Sequence, residues 1–301
     1  MPSRRNEVTE ADFIARLRTL ALHPAARGLR DDTALIAAGP LVVTTDTLVE
    51  GVHFLPADPP ADIAWKLVAT NLSDLAAKGA TPEGILLNYP LSDTAWDDAF
   101  LTGLAEILRA YDTPLIGGDT VTLPARAPRI LTVTAFGRDA AAPPRSGARA
   151  GDTLYVTGTI GDAGAGLAIA KGAAGPALLL AAYRRPTPRL PEGRLLAPHA
   201  HAMMDVSDGL LIDAARMAAA SALAVTIDLA AIPLSPAYRA WSGDRLAAAT
   251  AGDDYQLLLA AAPGLAGPVT PIGSFAAGAG LALTDRGRPV PLPATLGFEH
   301  G

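Results

Sequence analysis

Short β-branched runs alternate with segments of helical period through both halves of this chain, and that alternation limits the fold to the α/β classes. Leu41–Thr47 reads as a strand that ends in the polar string Thr44, Thr45, Asp46, Thr47. From Ala61 to Lys78 the positions Ile63, Leu67, Val68, Leu72, Leu75 and Ala76 recur at helical spacing, and Gly79 supplies a C-terminal stop. Asn71, Asp74 and Lys78 fall on one face of that helix. A strand over Ile85–Leu91, a helix over about Ala95–Tyr111 and a short strand over Pro114–Ile116 follow. The last runs into the loop string Gly117-Gly118-Asp119-Thr120, and a further strand covers Arg129–Phe136.

A chain of 301 residues exceeds the size at which one core usually stays undivided, so two domains are expected. Between Asp139 and Ala150, small residues with Pro143, Pro144 and Gly147 break all periodicity, which divides the chain into domains 1–140 and 141–301. Thr153–Thr157, the glycine-rich Gly158–Gly166 and Leu167–Lys171 form a strand, loop and helix of phosphate-binding type. Its glycines match neither the dinucleotide fingerprint nor the P-loop, since the chain contains no Gly-Lys-Ser/Thr. Tyr183–Arg189 is proline-rich and links two helices. Met203–Val206 leads as a strand into Ser207-Asp208-Gly209, and Leu210–Ala220 returns to helical spacing. Strands follow at Ala224–Asp228, Tyr255–Ala261 and Val269–Ile272, with a hairpin at Asp285-Arg286-Gly287.

Composition removes several classes of function. Half the residues are hydrophobic, enough to bury real cores, and the net charge of -6 with only three lysines opposes general binding to nucleic acid. The absence of cysteine excludes disulfides, thiolate nucleophiles and cysteine-rich zinc sites. The N-terminus is charged and polar, with Arg4, Arg5 and Glu7 before a short amphipathic stretch in place of the apolar core of a signal peptide, and no apolar run approaches the roughly 20 residues that span a bilayer. A cytoplasmic protein that binds neither membrane nor nucleic acid is expected. An acidic chain still binds polyphosphate when divalent cations stand between carboxylates and phosphates.

Five short strings place Asp beside glycine, hydroxyls or an element end: Asp31-Asp32, Thr44-Thr45-Asp46, Asn71 to Asp74, Gly118-Asp119 and Asp205-Val206-Ser207-Asp208. Each alone reads as a cap or turn, because Asp, Ser, Thr and Gly are favoured there. Asp46 fits that reading poorly, since it follows an apolar strand with no glycine or proline to make the turn. Asp119 follows two glycines that would let a phosphate or metal reach the backbone. Magnesium suits such a set, preferring oxygen ligands and taking one or two carboxylates with water and phosphate oxygens.

Taken in order, RDDTALI, TTDTLVEGVHF, NLSDLAAKGATP, LIGGDT, PRSGARAGD, YVTGTIGDAGAGLAI, RPTPR, DVSDGL and GDDYQLL resemble the thiamine-monophosphate kinase family from about Asp31 to Phe298. The broader superfamily, which includes aminoimidazole ribonucleotide synthetase, shares only some of these strings. The resemblance implies a two-domain α/β (α+β) architecture, with an N-terminal metal- and nucleotide-binding domain that pairs in a homodimer. A C-terminal α/β domain would close over the nucleotide. It implies ATP-dependent phosphorylation of thiamine monophosphate to thiamine diphosphate with several Mg²⁺ ions and no covalent nucleophile. Carried over position by position, Asp32, Thr44, Thr45, Asp46, Asp74, Asp119, Asp205 and Asp208 are the expected metal ligands. Gly118, Asp119, Arg145 and Ser207 are the expected nucleotide contacts, with Arg145 also stabilising transfer, and His53, Asp253 and Phe298 are expected to touch the thiamine substrate.

The chain departs from the family pattern in places. Arg30 stands where glycine is usual, Asp253 and Gln256 replace two acids of the usual GEDYEL, and Gly301 rather than an aromatic follows His300. The competing readings are another ATP-using enzyme of the superfamily and a relative that binds nucleotide or thiamine without catalysis.

Overall fold

The computed structural model describes residues 10–23, 26, 41–138 and 140–299, so Arg30 and Asp32 lie outside the described residues. It shows a mixed α/β chain in two compact units, residues 1–72 with 82–138 and residues 73–81 with 139–301.

The first unit is built on a four-stranded sheet in the order β1-β4-β2-β3, from β1 (Val42–Val49), β2 (Thr81–Leu91), β3 (Leu115–Thr122) and β4 (Ile130–Arg138). Alternate residues of the inner strands are buried, Leu131, Val133 and Ala135 on β4 and Ile85, Leu87 and Tyr89 on β2, as the two-residue period of a half-covered sheet requires. Helices cover that face. Tyr89 stacks on Phe13 of α1 (Glu10–Leu17) at 4.5 Å and tilts against Phe100 of α3 (Thr94–Ala110) at 4.7 Å. Asp93 caps α3, accepting from the Trp96 amide at 3.1 Å.

α2 (Pro60–Ala76) crosses the division between the units after Leu72. It ends in a Schellman turn, in which Ala80 N–H reaches the Leu75 carbonyl at 3.0 Å, Gly79 N–H reaches Ala76 at 2.9 Å, and Gly79 adopts φ +65°.

The second unit holds a seven-stranded mixed sheet in the order β11-β10-β7-β9-β5-β8-β6. Its strands are β5 (Thr153–Thr157), β6 (Ala202–Asp205), β7 (Leu223–Asp228), β8 (Leu257–Ala261), β9 (Val269–Ala277), β10 (Gly280–Asp285) and β11 (Arg288–Val290). β8 lies between β5 and β6 and all five of its residues are buried, which explains its unbroken apolar sequence. α7 (Leu210–Ala220) buries Leu210, Leu211, Ala214, Met217 and Ala218 in the core. α4 (Asp162–Ala170) and α5 (Ala177–Arg184) approach so closely that a Cβ on Gly166 would lie 2.1 Å from the Leu179 carbonyl. Residues 185–189 link α5 to α6 (Leu190–Leu196), and the short helices α8 (Pro236–Trp241) and α9 (Arg245–Thr250) complete the unit.

Three local expectations are corrected. Thr44, Thr45 and Asp46 lie inside β1, because β4 offers pairing partners from Val42 through Val49. Gly117-Gly118-Asp119-Thr120 is strand and not loop, paired in parallel with Leu86–Tyr89 of β2. The helix expected at Leu167 begins at Asp162, where the buried Asp254 carboxylate accepts from the amides of Gly161 at 2.7 Å and Ala163 at 3.3 Å.

Candidate active site

In the first unit, Asp46 pairs in register with the buried Val133, so Thr44 and Asp46 occupy the helix-covered face of β1. The Asp46 amide donates to Asn71 Oδ1 on α2 at 3.2 Å, and Asn71 is itself buried and oriented by donating from Nδ2 to the Leu67 carbonyl at 3.0 Å. Thr45 points to the opposite face. Its hydroxyl donates to the Val133 carbonyl at 3.1 Å and meets Thr134 Oγ1 at 3.1 Å, while Thr47 meets Thr132 at 2.8 Å. Only the backbone of Thr45 is therefore available on the side of Asp46.

Gly118 fits where no side chain would, since its φ is +152° and an added Cβ would lie 1.9 Å from the Leu87 carbonyl oxygen. Asp119 is in register with the exposed Asn88, on the face away from the helices. β1 and β3 are the two edges of the sheet, so Asp46 and Asp119 of one chain are set on opposite edges and opposite faces. His53 sits in the turn after β1. Its Nδ1 accepts from the Val49 amide at 3.0 Å, and the buried Lys66 donates to its carbonyl at 3.1 Å. An amide N–H can only donate, so the neutral imidazole carries its proton on Nε2.

In the second unit, Asp205 ends β6, buried, with Oδ2 accepting from Ser73 Oγ at 2.6 Å. Lys78 Nζ donates to the carbonyls of Pro143 and Met203, each at 3.0 Å. Burial pushes the Lys78 amine down; the Asp74 carboxylate pulls it back up, the Arg145 charge adds to the depression, and Asp205 opposes it. The side chain of Arg145 is exposed, and Ser207 and Asp208 are half-buried.

Backbone bonds draw distant strings together around residues 205–208. Asp253 N–H donates to Ser207 O at 2.7 Å, Tyr255 N–H to Val206 O at 2.8 Å, Val206 N–H to Gln256 O at 2.8 Å and Phe298 N–H to Asp208 O at 2.8 Å. Asp205, Ser207, Asp208, Asp253 and Phe298, picked from three separate stretches of sequence, thus share one region.

Several residues of this region were not among the site residues expected from the sequence. Arg216 pairs with Asp208 and also with the buried Asp213 at 3.0 Å. Asp213 in turn accepts from the amides of Asp208 at 3.1 Å and Gly209 at 3.2 Å. Burial pushes the Asp213 carboxyl up to about 6, against the pull of the Asp208 amide. Helical spacing from Gly209 was the one available clue, because Asp213 and Arg216 stand one turn apart on α7. Gln256 Oε1 accepts from Thr157 Oγ1 at 3.1 Å and Arg189 Nε at 2.9 Å, tying together three strings that the sequence shows only as separate.

Among the described residues, no three acidic or histidine side chains form a group able to hold a metal ion by themselves. The available donors are hard oxygens, and such a sparse set fits an ion that takes one or two carboxylates and fills its shell with water and phosphate. No described helix is long and apolar enough to cross a membrane.

Residues 30–138 match the AIR synthase related protein, N-terminal domain, family, and residues 149–285 match the AIR synthase related protein, C-terminal domain, family. The chain is 40% identical, over an alignment of 330 residues, to the thiamine-monophosphate kinase of Caulobacter vibrioides, covering 97% of this chain and 91% of the relative. A crystal structure of thiamine-monophosphate kinase from Stenotrophomonas maltophilia superposes with a TM-score of 0.80 at 37% identity, covering 90% of this chain and 95% of that one. The structure of AaThiL complexed with AMPPCP and TMP gives a TM-score of 0.78 at 28% identity, covering 99% of each chain.

Proposed function

The chain belongs to the thiamine-monophosphate kinase family of AIR synthase related proteins, and from that premise we propose that it uses ATP to convert thiamine monophosphate to thiamine diphosphate. The observation that carries this reading is the gathering of Asp205, Ser207, Asp208, Asp253 and Phe298 by backbone hydrogen bonds within the second unit. Carboxylates suited to metal-bound phosphate stand there beside an acid and an exposed aromatic ring suited to a cationic heteroaromatic.

The reaction joins an oxygen of the substrate phosphate to the γ-phosphorus of ATP as the bond from that phosphorus to the β,γ-bridging oxygen breaks, releasing ADP. The acceptor oxygen is already largely ionised at neutral pH, so no residue is required to deprotonate it. His53, whose Nδ1 lone pair is engaged by the Val49 amide, serves as an Nε2–H donor to substrate and not as a base. Magnesium, when bound, neutralises the converging phosphate charges. We assign Thr44, Asp46, Asp119, the backbone of Thr45 and, outside the described residues, Asp32 to hold such ions in the first unit. Asp74, Asp205 and Asp208 hold them in the second. Gly118, Asp119, Ser207 and the exposed Arg145 contact the nucleotide, and His53, Asp253 and Phe298 contact thiamine monophosphate.

Purified protein incubated with ATP and Mg²⁺ is expected to form thiamine diphosphate from thiamine monophosphate and not from thiamine, read by chromatography of the products. Equal use of free thiamine would refute the reading.

A further inference from the structure

We infer that Tyr255 is a positioning residue that sets the carboxylate of Asp253 for the thiamine substrate; this rests on the assignment of Asp253 to that substrate. The observation is a double backbone outlier. Asp253 has φ +69° and Tyr255 has φ +49°, so two non-glycine residues flanking Asp254 both lie in the left-handed region. Strain of this kind persists only where the surroundings over-determine it. Here the amides of Asp253 and Tyr255 are pinned to the carbonyls of Ser207 and Val206 at 2.7 and 2.8 Å.

The two outliers have a definite result. Asp254 turns inward to cap α4, Asp253 stays half-buried beside Ser207, and the buried ring of Tyr255 brings its hydroxyl back to Asp253 Oδ1 at 3.1 Å. A regular strand would send residues 253 and 255 to one face without folding the phenol onto the acid. The phenol donates and the carboxylate accepts, so one oxygen of Asp253 is held and the plane of the group is fixed toward a ligand N–H or cationic ring. Asp is one methylene shorter than the Glu usual in the family, which leaves fewer rotamers to align and makes a fixing partner effective.

The test is a double-mutant cycle on steady-state kinetics with thiamine monophosphate and ATP varied in turn. Tyr255→Phe keeps the buried ring and removes only the hydroxyl. It is expected to raise KM for thiamine monophosphate about tenfold, the equivalent of one hydrogen bond to an ionised group, while KM for ATP and the saturated rate stay within about twofold. Asp253→Asn is expected to raise the same KM, and adding Tyr255→Phe to it to have no further effect. An unchanged KM in Tyr255→Phe, with Asp253→Asn impaired, overturns the role of Tyr255 and leaves Asp253 at the substrate. Additive effects, or a loss spread equally over both substrates, make Tyr255 a structural residue and also overturn it. Normal kinetics in Asp253→Asn remove the assignment beneath the inference, and the inference with it.

Discussion

Asp253 and Asp254 are adjacent in sequence and opposite in circumstance. Asp254 is buried, and burial pushes its carboxyl from 3.8 up to about 8, against the pull of the Gly161 and Ala163 amides and with the nearby charges of Asp162 and Asp253 adding to the rise. A folded-state pKa raised above the unfolded one means that the native protein keeps a proton the unfolded chain gives up between pH about 4 and about 8. The stabilisation from this group is therefore complete below the unfolded value and is lost as pH rises through that window. Urea denaturation at a series of pH values is expected to show this decline in the wild type and a flatter profile in Asp254→Asn. Identical slopes in the two proteins would place the proton elsewhere. Nothing in the string Gly252-Asp253-Asp254 distinguishes the two acids beforehand; they part only in their partners, Asp254 taking the amides of Gly161 and Ala163 while the Asp253 amide is held by the Ser207 carbonyl.

At the level of elements, legibility followed the length and regularity of the local pattern. β5 and α7 were readable to the residue, because one is a β-branched run bounded by glycine and the other keeps helical period for three turns. α8 and α9 were not, since each has six residues and is defined less by periodicity than by its cap, Ser235 accepting from Tyr238 N–H at 3.0 Å and Asp244 from Leu246 N–H at 2.9 Å. The first residues of β3 were read as a strand, and the rest was hidden for another reason. Gly117-Gly118-Asp119 has the composition of a turn, and only its parallel pairing with β2 makes it a strand. The strings of the candidate site were legible as strings, but their meeting at residues 205–208 depends on long-range backbone bonds that no local pattern encodes. The close approach at Gly118 gives a direct check on β3. Gly118→Ala would drive a Cβ to 1.9 Å from a backbone oxygen, and the variant is expected to lose roughly 1–3 kcal/mol or more in chemical denaturation, the range for overpacking. A variant as stable as the wild type would mean that β3 is free to shift against β2.

For the whole molecule, the face of the four-stranded sheet opposite its helices bears on assembly. Val43, Val121 and Ile130 are 56%, 47% and 45% exposed on that face, apolar side chains set among Thr45, Thr47, Asn88 and Asp119 that a pairing surface would cover. Homodimer formation through it, with β1 and β3 as the edges, is our proposal. Light scattering is expected to give twice the chain mass for the wild type and a single chain mass for Val43→Lys combined with Val121→Lys. A monomeric wild type would refute it. The division of the chain itself has a different consequence, in the order of synthesis. The second unit is discontinuous: Ser73–Thr81 belongs to it, donating Ser73 to Asp205 and Lys78 to Pro143 and Met203, yet is translated before residues 82–138 of the other unit. At about 5–20 residues per second, this short segment waits several seconds on a ribosome for its partners to emerge. A fragment cut at residue 139 would lack it altogether. The chain is thus not two modules in series, and a gene fusion or recombination that treated it so would separate Asp205 from the hydroxyl that holds it.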